Sequence, residues 1–145
     1  MADTLPEKAI QDEEIILRRI SLKSGWYLPS ADSVNPAAFR PTDQDVSGLS
    51  LAREILESSE NLAARGWIGC DYYVARIPVA SLAAQGIQVV ARPLPGFEGH
   101  AEAPQLTAAS RRNDKLETGK RMAIMADQII EVVGPFPGNT PRPAG

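Results

Sequence analysis

One imidazole, His100, stands in Gly99-His100-Ala101-Glu102, and it is the only histidine in this chain of 145 residues. It is also the side chain best suited to exchange a proton near neutral pH. If residues 97–106 form an edge strand, His100 and Glu102 point to the same face. A carboxylate there can orient the imidazole tautomer, and the imidazole can serve as a general acid or base. The small neighbours Gly99 and Ala101 would leave it accessible. The bland alternative is a surface histidine in a glycine-rich turn.

Cys70, in Gly69-Cys70-Asp71, is the one cysteine. As a nucleophile it would need an activating base, and His100 is the only imidazole on offer. As a structural residue it is a small buried hydrophobe. No disulfide can form within the chain, which suits a reducing compartment. One histidine and one cysteine make no zinc site without two carboxylates, and no ligand-like spacing occurs, so no metal is expected. Asp43 and Asp45 alternate with Thr42, Gln44 and Ser47. Their oxygens can ligate a cation or close Asx turns within a loop. Neither GxxxxGK[ST] nor GxGxxG is present, so the residues themselves call for no cofactor.

The basic residues Arg111, Arg112, Lys115, Lys120 and Arg121 form one concentration. They can meet phosphates. They can equally be the solvated side of a helix whose other side, Met122, Met125, Ala126 and Ile129, is core. The stretch Asn35 to Ser50 holds two prolines, Phe39, two aspartates and Gly48. It reads as an ordered loop, with Phe39 as a buried anchor.

These groups need elements to hold them. Glu13 to Ile20 is a strand rich in β-branched residues. Residues 21–45 show little periodicity. Val46 to Leu51 can form a short strand. Ser50 reads as the N-cap of a helix reaching about Arg65, with Leu51, Ile55 and Leu62 on one face and Gly66 as its stop. The serine pair Ser58-Ser59 could instead split that helix. Asp71 to Ile77 is a second confident strand, Val79 to Gln85 a short helix, and Ile87 to Arg92 a further strand. Asn113 caps a helix over Asp114 to Asp127, and Ile129 to Val133 is the last strand. The expected architecture is a single α+β domain on a mixed sheet of about five strands with about two to three helices. The domain spans 13–134, between a mobile N-terminal tail over 1–12 and a Pro/Gly-rich C-terminal tail over 135–145.

A hydrophobic content of 43% fits a globular chain. A net charge of −3 argues against a nucleic-acid partner. No apolar run approaches the ~18 residues of a membrane span. No signal peptide is visible at the N-terminus, so a cytoplasmic protein is expected.

Three short stretches, Leu17-Arg18-Arg19-Ile20, Ala38-Phe39-Arg40-Pro41 and Gly48-Leu49-Ser50-Leu51, together resemble the opening of RES-type domains, which are similar to ADP-ribosyltransferases. Such domains carry arginine, glutamate and serine around bound NAD. The resemblance implies that Arg18 or Arg40 and Ser50 would contact NAD, with Glu54 as the acidic residue.

Two functions follow as expectations. The first is a small binding or accessory module acting through a partner protein. The second is an NAD- or nucleotide-using enzyme with His100, Glu102 and Glu54 as its catalytic candidates. They diverge at His100: a module leaves it in open solvent, and an enzyme sets it against Arg40, Ser50 or Glu54 across a cleft.

Overall fold

The run Ile15–Ser21 alternates Ile16 and Ile20 with Leu17 and Arg19, and it forms strand β1 at the middle of a sheet. The computed structural model describes residues 9–143. Tyr27–Leu28 (β2) and Ser33–Val34 (β3) pair as a small hairpin, and Leu49–Arg53 is β4. Helix α1 (Ser59–Ala64) follows, then β5 (Asp71–Pro78), α2 (Val79–Ala84), β6 (Val90–Ala91) and β7 (His100–Ala103). Helices α3 (Ala108–Asn113) and α4 (Lys115–Asp127) and strand β8 (Glu131–Pro137) complete the order. The six-stranded sheet runs β6-β7-β4-β1-β5-β8, and every ladder in it is antiparallel.

The α+β class is as expected. The sheet is antiparallel rather than mixed, with six strands, and the described residues contain four α-helices. Helix α3 went unread at the sequence level, although Thr107 and Ser110 close a full capping box at its start.

The largest correction lies at 50–65. Ser50 is not a helix cap but the second residue of β4, and the helix begins only at Ser59, capped by the Ser58 hydroxyl. Leu51 and Ala52 suit a helix in isolation. Between β1 and β7, however, Leu49, Leu51 and Ala52 are all buried, and burial on both faces overrides local propensity. Gly66 does follow α1, but its cause is close approach: a Cβ there would lie 2.1 Å from the Tyr72 ring.

The expected domain boundary at 134 is also displaced. It falls inside β8, and Gly138, Asn139 and Thr140 donate backbone hydrogen bonds to Cys70, Ala64 and Gly66. At the other end, Ile10 packs on the core and the Asp12 carbonyl accepts from Ala80. Residues 1–8 of the expected N-terminal tail, and 144–145 of the C-terminal one, lie outside the described residues.

Two cores flank the sheet. Ile16, Ile20, Leu49, Leu51, Ile77 and Ala101 face Phe39, Leu82, Leu106 and Met125 on one side. Leu17, Ala52, Tyr72 and Val74 face Leu62 and Ala63 of α1 on the other. A helix of six residues is only about 9 Å long, whereas six strands span about 24 Å. Helix α1 lies over β8, β5 and β1. On the same face a cleft remains beside Ser50 of β4.

Candidate functional site

The β1–β4 ladder covers two pairs, Ile16 with Arg53 and Leu17 with Ala52, and then stops. Past that point β1 keeps pairing with β5, while β4 pairs with β7. Arg18 occupies the gap. Its Nη1 donates to the Ser50 carbonyl at 2.9 Å, and its Nε donates to the Ala38 carbonyl at 2.9 Å. A side chain thus satisfies the carbonyl that a continuing ladder would have paired. A cleft of about 460 Å³ opens here, lined by Arg18, Arg19, Asp45, Ser50, Arg65 and Phe97 among others.

Ser50 and His100 project into the same side of the sheet from neighbouring strands. Directly opposite Ser50 is Glu102, and opposite His100 is Ala52. The serine hydroxyl reaches diagonally, as cross-strand neighbours can, and lies 2.9 Å from His100 Nε2. His100 Nδ1 lies 2.8 Å from the Arg92 carbonyl, which can only accept. In the neutral imidazole Nδ1 therefore carries the proton, and Nε2 accepts the Ser50 O–H. We expect ¹⁵N spectra of the lone imidazole to show the Nδ1–H tautomer. An Nε2–H tautomer would contradict this arrangement.

His100 is not accessible, as its small neighbours suggested; it is buried, and the Phe97 ring meets it edge-on at 5.2 Å between centroids. Glu102 shares its strand face as the period of two requires, but the Arg92 backbone, not Glu102, orients the imidazole. The Glu102 carboxylate instead accepts from the Ser47 hydroxyl at 2.9 Å and lies 3.5 Å from Arg92. Strand β7 is an interior strand, with β6 at the edge.

The cleft is cationic. Burial pulls the Arg18 pKa down to about 10, the Asp45 charge opposes this, and the neighbouring Arg19 charge adds to it. Arg18 therefore remains protonated at neutral pH. Arg19 is lowered by burial first, with the Arg65 charge adding and Tyr72 opposing. Its Nη1 donates to the Leu62 carbonyl in the last turn of α1. Arg65 is paired with Glu57 and lies over the Phe97 ring, 3.8 Å from its centroid. Among the described residues, neither Arg18 nor Arg19 has a carboxylate within ion-pair distance.

The structure thus brings together Arg18, Ser50 and His100, with Glu102 alongside. The other two candidates lie elsewhere. Glu54 binds Arg76, which also holds Glu131, and does not line the cleft. Arg40 is exposed and borders a separate groove beside Arg111, Lys115 and Met122. Cys70 is buried, with Arg142 Nη2 at 3.4 Å from its sulfur. Asp45 takes the loop role: it accepts from the Thr42 backbone and hydroxyl. Asp43 is held by Arg111. The basic run is largely engaged, since Arg112 also approaches Asp43, Lys120 approaches Glu117 and Arg121 donates to the Gln105 carbonyl.

Arg19, Arg65, Phe97 and the Arg92 carbonyl were not legible as site residues.

Comparison with protein-family models, with curated proteins and with solved structures finds no match to this chain.

Proposed function

We propose that this protein is an enzyme whose cleft binds a phosphate-bearing nucleotide. NAD is the member of that class to which the resemblance to RES-type domains points. The observation that carries this reading is the Arg18 guanidinium, bonded to the Ser50 carbonyl and lining one cleft with Ser50, whose hydroxyl meets His100. A half-buried cation with no carboxylate in ion-pair distance among the described residues, only the Asp45 charge acting on it from further off, is suited to an anion, because the charge that burial disfavours is the charge a phosphate would stabilise. A hydroxyl hydrogen-bonded to an oriented imidazole is the kind of group that handles a proton during a reaction. A module acting only through a partner protein would expect His100 in solvent with no concavity beside it. A buried His100 bonded to a cleft-lining Ser50 weighs against that alternative.

Thermal unfolding with added ligand tests the reading. NAD at 100 times its Kd should add ~2.7 kcal/mol of stability. Arg18→Met, compared with its own unliganded melt, should lose most of that gain. If NAD, ADP-ribose and pyrophosphate all leave the melt unchanged at millimolar concentration, the reading fails.

A further inference from the structure

We propose that Ser50 is an activated nucleophile, and that the cleft cleaves carboxylic esters of phosphate-bearing alcohols through an acyl-Ser50 intermediate. The nucleophile stands on its own observation. The phosphate half of the substrate rests on the function proposed above.

Three groups form one line. The Ser50 hydroxyl donates to His100 Nε2 at 2.9 Å, and His100 Nδ1–H donates to the Arg92 carbonyl at 2.8 Å. A nucleophile, a base in contact with it and a third group that fixes the base are the parts of an activated serine, recognised by geometry rather than by order in the chain. A backbone carbonyl here takes the place that a carboxylate usually holds. It fixes the tautomer without adding a negative charge. His100 is buried while Ser50 lines the cleft, so the base is shielded and the hydroxyl faces incoming substrate. The β4–β7 ladder holds Ser50 and His100 in register, Arg18 binds the Ser50 carbonyl on the other side, and a rigid sheet keeps such a pair in place.

In the step, Ser50 Oγ bonds to the acyl carbon as the bond from that carbon to the alcohol oxygen breaks. The Ser50 proton passes to His100 Nε2 and then to the departing alcohol. Water repeats the sequence on the acyl-serine, with Ser50 as the leaving group, and the products are one acid and one alcohol. Arg18 and Arg19 face the same cleft and would hold the phosphate.

An uncharged alkyl fluorophosphonate tests the nucleophile without requiring phosphate recognition. Ser50 Oγ bonds to phosphorus, fluoride leaves with the bonding pair, and the serine proton goes to His100. Intact-mass and peptide analysis of the full chain should show one adduct, on Ser50. Ser50→Ala should abolish it, and His100→Gln should slow it by roughly 10²-fold or more. Should His100→Gln not fold, wild-type chain in denaturing urea is the control and should remain unlabelled. Inorganic pyrophosphate should protect Ser50 in the folded protein. No adduct on the folded wild type, labelling scattered over other serines, or an unchanged rate in His100→Gln would overturn the nucleophile. Labelling of Ser50 that pyrophosphate does not slow would overturn the phosphate-bearing substrate. Failure of NAD to bind, with Ser50 still labelled, would sink the nucleotide reading alone.

Discussion

Glu14→Ala should destabilise the fold by about 3–5 kcal/mol at neutral pH. Glu14 and Arg53 form a two-pronged pair, with Arg53 Nε to Glu14 Oε1 and Nη2 to Oε2 both at 2.8 Å. Both side chains are withdrawn from water, Arg53 being 1% exposed. Taking away the carboxylate removes both of these charge-assisted bonds from a guanidinium in the sheet interior. The pair also joins the entry of β1 to the end of β4, so its loss loosens the strands beside the cleft. Burial is the largest single influence on the Glu14 pKa and pushes it up. Hydrogen bonds from Arg53 and the Gln11 backbone, together with the Arg53 charge, outweigh it, and the net direction is down. A carboxylate lowered on folding stabilises the protein fully above its unfolded value, about 4.3. That stability is lost as pH falls through the lower folded value. Glu54 acts in the same direction: its bond from Arg76 lowers it, against a smaller effect of burial. Urea melts should therefore show the gap between wild type and Glu14→Ala closing in acid. Equal stability at pH 7 would contradict the account.

Phe39→Ala should cost ~3–5 kcal/mol, the range for a large aromatic lost from a packed core. Phe39 is 0% exposed and ends a short 3₁₀ turn, Pro36–Phe39, which the Asn35 side chain caps by accepting from Ala37 N. It belongs to the core that Ile16, Ile20, Leu49 and Met125 share. The effect should reach the cleft as well, because the carbonyl that holds Arg18 Nε belongs to Ala38, one residue earlier. Chemical denaturation measures the loss. A change below about 1 kcal/mol, the scale of a surface substitution, would show that the loop is not anchored here.

Elements made by local pattern were legible. The β-branched runs announced β1 and β5, and the sequence at 79–84 announced α2. Strand period also put His100 and Glu102 on one face before any fold was known. What escaped depends on partners distant in the chain. The 50–65 segment reads as a helix because Leu51, Ile55 and Leu62 share a helical face. Its first residues become a strand only because β1 and β7 wait on either side. Ser50 and His100 are 50 residues apart, and nothing local in either segment names the other. Arg53 could not be read as buried, since its carboxylate partner lies 39 residues away. The backbone carbonyl that orients His100 leaves no mark in the residue types at all.

The most direct measurement follows the lone imidazole while NAD is added. With one histidine in the chain, its ¹H and ¹⁵N signals belong to His100. If the cleft binds a nucleotide beside the Ser50–His100 pair, NAD should shift the Nε2 and ring-proton signals saturably. Arg18→Met should weaken that titration strongly. An imidazole spectrum unmoved by millimolar NAD, or an equal response in Arg18→Met, would contradict the claim that Arg18 and the Ser50–His100 pair form one nucleotide site.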